Sequence, residues 1–325
     1  MSNKLLITGA AGFIGSHLTE LLVEKGCQVK AFVHYNSQNS WGWLEESKYK
    51  NEIEVVTGDI RDYDAVFDAM NGCNNVYHLA ALIGIPYSYV SPLAYIKTNI
   101  EGTYNILQAS RNCEIENVLI TSTSETYGTA QYVPIDENHP MVGQSPYSAT
   151  KIGADHLALS FYRSFGLPVK IVRPFNVYGP RQSARAIIPT VITQILNGQR
   201  ELKLGNVTPT RDLTFVKDTA KGFYAIAKSD QLFGAITNIG MNDEISVRDL
   251  IGVIADIMRV KLDILSDEER VRPGKSEVER LFCDNTKILS KTDWKSEYKL
   301  RDGLRETIEW FKHNLQYYKA EIYNV

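Results

Sequence analysis

Short apolar runs alternate with amphipathic segments along the first half of the chain. Six runs rich in Val, Ile and Leu have the length of buried strands, and they cover residues 4–8, 28–33, 54–60, 75–81, 117–122 and 167–172. Between them apolar residues recur at helical spacing, as at Ile14, Leu18 and Leu22 ahead of Gly26. Strands that alternate with helices predict an α/β fold with a doubly wound, Rossmann-type parallel sheet.

The pattern changes after residue 172, so we expect two domains. Residues 173–181 are punctuated by Pro and Gly and predict a loop that carries cations. Helices are predicted near 187–197, 218–228 and 301–318. We therefore expect a nucleotide-binding Rossmann domain over 1–172, to which part of 213–240 returns, and a smaller mixed α/β substrate domain over 173–325.

A glycine turn follows the first predicted strand. Gly9, Gly12 and Gly15 stand three apart, and the helix that begins near Phe13 and Ile14 comes directly after them. In this context the glycines permit a tight turn, close approach of a pyrophosphate and close packing of helix on strand. The pattern predicts a dinucleotide site at the helix N-terminus.

The end of the second strand leaves the identity of the dinucleotide open. An NAD enzyme commonly carries a carboxylate there, but this chain has His34, Tyr35, Asn36 and Ser37. Since no Arg or Lys stands there either, both NAD and NADP fit, and Asn36 and Ser37 could hydrogen-bond either ribose. The nearby Trp41 and Trp43 are interpreted as an apolar patch on the sheet edge.

Other strand ends should converge with the glycine turn, because ligands of parallel sheets bind beyond the carboxyl ends of the strands. Asp59 could receive the adenine amino group, and the small Ala80 and Ala81 would let a flat ligand approach the backbone. His78 is interpreted as a hydrogen-bonded core histidine. Thr123 ends the fifth strand and belongs to the same crevice.

Residues 121–128 and the helix after them carry the candidate chemistry. Tyr147 and Lys151 are four apart on one predicted helical face, and an ammonium beside a phenol favours the phenolate. Thr123 can hydrogen-bond the same substrate oxygen, and Glu125 can serve a second proton transfer. A second Tyr-x-x-x-Lys pair, Tyr224 and Lys228, lacks a preceding hydroxyl cluster and predicts an ordinary helix.

Composition narrows the class of protein. The chain has 325 residues, 44% of them hydrophobic, and a formal net charge of -3, which gives no reason to expect nucleic acid or membrane partners. Its four cysteines lack metal-site spacing, so we expect reduced thiols, no metal and a cytoplasmic protein without a signal peptide. Arginines in the predicted loops of the second half fit recognition of a diphosphate.

Together these motifs resemble the extended short-chain dehydrogenases/reductases, the family of NAD-dependent sugar-nucleotide epimerases and dehydratases. The resemblance spans almost the whole chain and includes residues 8–15, 58–59, 78–81, Asn99, 173–176, 211–212 and 272–274. Residues 122–128 resemble the marker of the 4,6-dehydratases, although UDP-xylose synthases share its Thr-Ser-Glu. Residues 81–89 and 180–189 look most like the nucleotide-N-acetylglucosamine 4,6-dehydratases of legionaminic acid biosynthesis, which use GDP or UDP sugars.

The resemblance implies a reaction on GDP- or UDP-N-acetylglucosamine. Tyr147, held by Lys151, takes the O4 proton while C4 gives a hydride to the nicotinamide, and Thr123 polarises O4. Glu125 removes the C5 proton, and water leaves C6 with help from Ser124 or protonated Glu125. The hydride returns to C6, so that a tightly held NAD or NADP is regenerated in each turnover and a 4-keto-6-deoxy sugar is released.

The resemblance also assigns contacts and partners. Expected cofactor contacts are Gly9, Gly12, Phe13, Ile14, Gly15, Asn36, Ser37, Asp59, Ile60, Leu79, Ala80, Ala81, Asn99, Tyr147 and Lys151. Expected substrate contacts are Asn176, Arg181, Arg185, Arg211 and Arg272. A homodimer through helices near 91–112 and 146–165 is expected. The alternatives are a UDP-glucuronate decarboxylase, a 4-epimerase, or a nucleotide-sensing protein without chemistry.

Overall fold

A seven-stranded sheet forms the centre of the molecule in the computed structural model, which describes residues 4–267, 270–271 and 273–319. Its strands in spatial order are β3 (Glu54–Gly58), β2 (Gln28–His34), β1 (Lys4–Thr8), β4 (Asn75–His78), β5 (Asn117–Thr121), β6 (Val169–Pro174) and β11 (Ile236–Ile239). Every neighbouring pair is parallel. The predicted Rossmann-type doubly wound fold is therefore confirmed.

Helices cover both faces of this sheet, as its apolar strands require. On one face α1 (Phe13–Glu24) packs beside α8 (Val216–Lys228), over a core that includes Ile7, Leu18 and Phe223. On the other face α2 (Tyr63–Met70), α5 (Gly102–Asn112) and α6 (Pro146–Phe165) pack over a core that includes Val118 and Ile171. Residues 216–239 thus lie with the first half of the chain.

The helix predicted over 91–112 is interrupted. The chain forms α3 (Ile85–Val90), α4 (Pro92–Tyr95), a π-helical segment (Ile96–Glu101) and then α5. The break between α3 and α4 falls at Ser91, directly before Pro92, a position where proline disfavours helical backbone in the preceding residue.

Helix α6 has well-defined signals at both ends. Ser145 and Ser148 form reciprocal hydrogen bonds at its N-terminus, and Pro146 occupies the first turn. Gly166 ends the helix in the left-handed conformation, with φ 69°. These caps fix where Tyr147 and Lys151 enter the site.

The remaining elements form a smaller layer beside the sheet. Helices α7 (Ile187–Leu196), α9 (Val247–Met258) and α11 (Leu300–Asn314) share a core with strand β8 (Glu201–Leu204), which pairs with β13 (Asp263–Ser266). Short strands complete this region: β7 (Asn176–Tyr178), β9 (Thr210–Arg211), β10 (Leu213–Phe215), β12 (Ile245–Ser246) and β14 (Arg280–Leu281), with α10 (Thr286–Lys291). No helix in the described ranges is both long and apolar enough to cross a membrane.

Residues 173–181 differ from the predicted loop. Arg173 is the penultimate residue of β6 and is fully buried, while residues 176–178 form β7, which pairs with β10. A run punctuated by Pro and Gly carries no local signal for such a two-strand ladder, because the partner strand is distant in sequence. Arg173 is therefore not the loop cation that the sequence suggested.

The Trp43 side chain joins the loop after β2 to the C-terminal helix. Its ring centroid lies 5.3 Å from that of Trp310 and 5.5 Å from that of Tyr317, both edge-on. The Trp43 amide donates to the Ala11 carbonyl at 3.2 Å. The aromatic patch therefore also supports the glycine turn.

Candidate active site

A cavity of about 880 Å³ opens where the sheet meets the smaller layer. The ends of β1, β3, β4 and β5 bring Gly9, Asp59, Ala80 and Thr123 to its wall. The convergence expected from parallel strands is thus present, and the opposite wall belongs to the second half of the chain, through Asn176, Arg185 and Arg211 among others.

The glycine turn leaves room only for hydrogen at two of its positions. A Cβ on Gly15 would lie 2.1 Å from the Gly9 carbonyl oxygen, and one on Gly9 would lie 2.7 Å from the Ala80 amide nitrogen. Gly9 also has φ +72°. No side chain caps the first turn of α1, whose N-cap residue is Gly12, so its amides and dipole face the cavity. The turn fits the pyrophosphate of a dinucleotide.

Phe13, Ile14, Ile60, Leu79 and Ala81 also line the cavity, as predicted for cofactor contacts. Three predicted contacts do not. Asn36 and Ser37 lie outside the lining, because the Asn36 amide donates to the Ser40 carbonyl at 2.8 Å and folds into its own loop.

Asn99 is the third residue outside the cavity lining. Its side chain is buried. The Leu82 amide donates to Asn99 Oδ1 at 2.9 Å, and Asn99 Nδ2 donates to the Leu82 carbonyl at 3.0 Å. Asn99 Nδ2 also donates to the Thr150 hydroxyl. Asn99 therefore supports the cavity wall from behind.

Two basic side chains line the cavity where the sequence predicted Asn36 and Ser37. His34 and Arg61 line the cavity beside Asp59, and Arg61 Nε donates to both Asp59 oxygens at 3.0 Å. Hydrogen bonding by Arg61 lowers the pKa of the Asp59 carboxyl, so Asp59 remains an acceptor. The sequence signal for Arg61 was its position two residues after Asp59, the predicted adenine contact.

The candidate catalytic residues Thr123, Ser124, Glu125, Tyr147 and Lys151 all line this cavity. Thr123 follows β5 and caps a short 3-10 helix (Ser124–Tyr127), where its hydroxyl accepts a hydrogen bond from the Glu125 amide at 3.3 Å. Glu125 is half-buried. The first turn of α6 carries Tyr147 from the other side, with its ring edge-on to Tyr95.

The electrostatics of Tyr147 differ from the sequence-based expectation. Burial raises the pKa of the Tyr147 phenol, a hydrogen bond with Thr123 opposes that rise, and the charge of Glu125 adds to it. Burial also lowers the pKa of Lys151, and the carboxylate of Asp155 opposes the change. The Lys151 ammonium donates to the Thr121 carbonyl at 2.5 Å. Desolvation thus outweighs the influence expected of Lys151 on the phenol.

His78 is a core residue, as its sequence context indicated. Its ring nitrogens hydrogen-bond the hydroxyls of Thr8 at 2.7 Å and Thr103 at 3.1 Å, and the side chain is buried. Burial lowers the pKa of His78 to about 3, so the ring is neutral.

On the substrate side the predicted residues separate into three groups. Asn176, Arg185 and Arg211 line the cavity, and Asn176 Oδ1 is a buried oxygen without a hydrogen-bond partner among the described residues. Arg181 lies outside the lining, because its guanidinium pairs with Glu20 at 2.9 and 3.0 Å. Arg272 falls outside the described residues.

Several lining residues had no local signal in the sequence. Glu277 lies 3.4 Å from Arg211, and Gln182, Gly205, Asn206 and Arg270 also line this wall. Glu277 and Arg211 are far apart in the chain and meet only because β14 runs beside β9. Their pairing could not be read from spacing.

Comparisons with known proteins agree with this geometry. The family model for GDP-mannose 4,6 dehydratase matches residues 6–307. A putative UDP-glucose 4-epimerase of Methanocaldococcus jannaschii is 32% identical, over 95% of this chain and 99% of that protein. A UDP-N-acetyl-alpha-D-glucosaminuronate decarboxylase of Bacillus cytotoxicus is 33% identical, over 96% of this chain and 98% of its own length.

A solved structure extends the likeness to the fold. The dTDP-glucose 4,6-dehydratase of Streptomyces venezuelae, crystallised with NAD bound, superposes with a TM-score of 0.88 at 27% identity, covering 97% of this chain and 99% of its own. Dehydratase, epimerase and decarboxylase thus share one scaffold. With its glycine turn, strand-end hydroxyls and Tyr-Lys helix in one cavity, this chain belongs to the GDP-mannose 4,6 dehydratase family, within the NAD-dependent epimerases and dehydratases of the extended short-chain dehydrogenases/reductases.

Proposed function

We propose that this chain is a nucleotide-sugar 4,6-dehydratase that uses NAD and acts on GDP- or UDP-N-acetylglucosamine. The observation that carries the proposal is the placement of Glu125 in the same cavity as Thr123 and Tyr147. Dehydration needs two bases for two different ring protons, and this wall supplies a phenol and a separate carboxylate. A simple 4-epimerase needs only the first.

The glycine turn and the uncapped start of α1 would hold the cofactor pyrophosphate, and Asp59 would accept from the adenine amino group. When bound, NAD supplies reversible two-electron oxidation of the sugar. Oxidation at C4 is balanced by reduction at C6, so the net reaction is loss of one water and consumes no external oxidant.

The protein's own residues would carry the protons. Tyr147, once ionised, takes the proton from O4, and the Lys151 ammonium stabilises the phenolate charge against the cost of its burial. Thr123 donates a hydrogen bond to O4, which becomes a carbonyl oxygen. Glu125 then takes the C5 proton, whose acidity the C4 carbonyl raises. The C6 hydroxyl leaves as water, protonated by Ser124 or by the acid form of Glu125. C5 then regains a proton, drawn from solvent through Glu125, as C6 is reduced.

The substrate diphosphate would lie against the opposite wall. Asn176 offers an amide whose oxygen is unsatisfied among the described residues, and Arg185 and Arg211 supply positive charge. Guanidinium groups bind phosphate oxygens in pairs, so two such residues suit a diphosphate. Arg181, paired with Glu20, is left out of this assignment.

One observation favours a decarboxylase as the second candidate. Arg185 Nη1 lies 3.1 Å from the position of a Cβ on Gly84, on a wall where Tyr95 packs edge-on against Tyr147. A cation on this side could bind a C6 carboxylate, which a UDP-glucuronate decarboxylase requires.

Incubation with GDP- and UDP-N-acetylglucosamine, followed by NMR of the products, tests the proposal. A stable 4-keto-6-deoxy sugar is expected from one of them. A C4 epimer would contradict dehydration, as would conversion of UDP-glucuronate to a pentose while both N-acetylglucosamine nucleotides stay intact. The absence of any reaction would favour a protein that only binds nucleotides.

We also propose that the protein is a homodimer, as its family resemblance implies. Leu93 and Ile96 before α5 and Phe165 at the end of α6 are apolar side chains that are 60%, 47% and 50% exposed. A four-helix contact through these segments would bury them. Sedimentation equilibrium should give twice the mass of one chain.

A further inference from the structure

A buried ion pair lies behind the reactive hydroxyls. Arg173 Nη2 donates to Asp155 Oδ2 at 2.6 Å, and the two side chains are 0% and 1% exposed. Neither residue lines the cavity, and they come from different elements, Asp155 from α6 and Arg173 from β6. An isolated charge at either position would be costly, so each requires the other.

The Asp155–Arg173 ion pair connects the elements that bear the candidate catalytic residues. Ser122 Oγ at the end of β5 donates to the same Asp155 oxygen at 2.6 Å, and Arg173 Nε donates to Ser122 Oγ at 3.3 Å. The Arg173 guanidinium also lies over the Tyr127 ring, 4.5 Å from its centroid. Tyr127 closes the short helix that carries Glu125. One ion pair thus holds together the end of β5, the short helix that carries Glu125, and α6.

Lys151 and Asp155 reach adjacent residues of the same strand end. They stand one turn apart on α6 and therefore on one face. The Lys151 ammonium donates to the Thr121 carbonyl at 2.5 Å, while Asp155 accepts from the Ser122 hydroxyl. Asp155 therefore pairs directly with buried Arg173 and shares one face of α6 with buried Lys151.

Other titratable and polar groups surround Tyr147, Lys151 and Arg173. Thr123, Glu125 and Tyr95 face Tyr147. The neutral His78 ring interacts with Lys151. Around Arg173 stand Tyr127 and the Met141 sulfur, which Arg173 Nη2 approaches at 3.5 Å. Asp155 is the group that opposes the loss of the proton from buried Lys151.

We propose that Asp155, anchored by Arg173, is a positioning residue that keeps Lys151 as an ammonium and holds α6 against the strand end that bears Thr123 and Glu125. The proposal rests on the proposed function, in which Tyr147 alternates between phenolate and phenol. Each time Tyr147 gains a proton, Lys151 loses its anionic neighbour, and Asp155 then supplies the remaining negative charge.

The Asp155→Asn variant, which keeps the shape and removes the charge, tests the proposal through the pH profile of kcat. Without the Asp155 charge both Lys151 and Tyr147 release protons more readily, so both limbs of the profile shift to lower pH, by about half a unit or more. Asp155→Glu, which restores the charge, returns the profile toward that of the wild type. A folded Asp155→Asn enzyme with an unshifted profile would overturn the proposal.

The matched control is Asp218→Asn in α8. Asp218 is also buried and accepts backbone hydrogen bonds from Glu297 and Tyr298, but it lies outside the cavity lining. This variant loses stability without moving the profile. Should it shift the profile as far as Asp155→Asn does, the effect is one of general destabilisation and the proposal is wrong.

A measurement without turnover tests the charge compensation separately. Adding Arg173→Met to Asp155→Asn removes the uncompensated cation, so the double variant should melt higher than Asp155→Asn alone. If the loss in melting temperature of the double variant equalled the sum of the losses of Asp155→Asn and Arg173→Met, the two residues would not act as a pair.

A further variant covers the case in which Asp155→Asn does not fold. Ser122→Ala removes the tie to β5 but no charge, and it should lower kcat about threefold or more at an unchanged pH optimum. A wild-type kcat in the Ser122→Ala variant would show that the hydrogen bond from Ser122 to Asp155 does not position the end of β5. If the wild-type enzyme converts no nucleotide sugar, the proposed function fails instead, and the melting comparison still reports on the ion pair.

Discussion

Thr123 accepts a hydrogen bond from the amide of Glu125, at 3.3 Å, and so caps the turn that presents this carboxylate to the cavity. The hydroxyl assigned to the sugar O4 and the carboxylate assigned to C5 are therefore held as one rigid unit. Tyr147 approaches this unit from α6. The geometry joins two proton transfers at neighbouring ring carbons, and it gives each residue a separable role.

Glu125→Gln removes the second base and leaves the first intact. Because general base catalysis is worth about 10²–10⁴-fold, we expect formation of the 6-deoxy product to fall by that factor. Substrate addition should still reduce the bound cofactor, which absorbance measures. Glu116→Gln, at an exposed position ahead of β5, is the control and should keep full activity. Product formation at the wild-type rate by Glu125→Gln would show that another group takes the C5 proton.

Tyr147→Phe removes the first base. The ring should keep its edge-on contact with Tyr95, so we expect a stable protein that turns over at least about 100-fold more slowly. Tyr224→Phe is the matched control, since Tyr224 and Lys228 repeat the spacing on α8. Equal activity of the two variants would indicate that the chemistry does not pass through Tyr147.

Gly15→Ala should weaken cofactor binding, because the new Cβ would lie 2.1 Å from the Gly9 carbonyl oxygen. We expect the affinity for NAD, measured by calorimetry, to fall at least about tenfold, a loss of about 1.4 kcal/mol. Gly252→Ala is the control, because a Cβ there meets nothing within 4 Å. Unchanged affinity in Gly15→Ala would place the dinucleotide elsewhere.

Acid sensitivity should arise in part from His78. Its pKa is lowered to about 3 in the fold from an ordinary value of 6.5, so below pH 6.5 the unfolded state binds the extra proton. The stability contributed by neutral His78 is complete above about pH 6.5 and is lost as the pH falls toward 3, by about 2 kcal/mol at about pH 5.

Chemical denaturation at about pH 7.5 and about pH 5 measures this loss. His78→Gln should lose less stability than the wild type between the two values. The exposed His156→Gln should behave as the wild type does. Identical losses in all three proteins would exclude His78 as the source.

Much of the fold could be predicted because its signals are local. The glycine turn after β1 and the alternation of apolar runs with helices specify a parallel sheet, and the rule that ligands bind at strand ends brings Asp59, Ala80 and Thr123 together. His78 was recognisable as a core residue since it stands inside an apolar strand.

The rest depended on side-chain contacts that residue spacing does not encode. Arg173 reads as a loop cation beside Pro174, but Asp155 on α6 draws it into the core. Arg181 reads as a phosphate ligand, yet Glu20 on α1 binds it. Asn36 reads as a ribose contact, but its side chain donates a hydrogen bond to Ser40 within its own loop. In each case the deciding partner is tertiary or lies in local turn geometry, and spacing along the chain carries no trace of it.

Removal of water across C5 and C6 of a nucleotide-linked N-acetylglucosamine is the reaction we assign to this cavity. Mass spectrometry of the product formed from GDP- or UDP-N-acetylglucosamine in deuterium oxide tests it most directly. We predict the loss of one water and the gain of one carbon-bound deuterium, delivered to C5 from solvent through Glu125. A product of unchanged mass without deuterium would identify an epimerase and contradict the account.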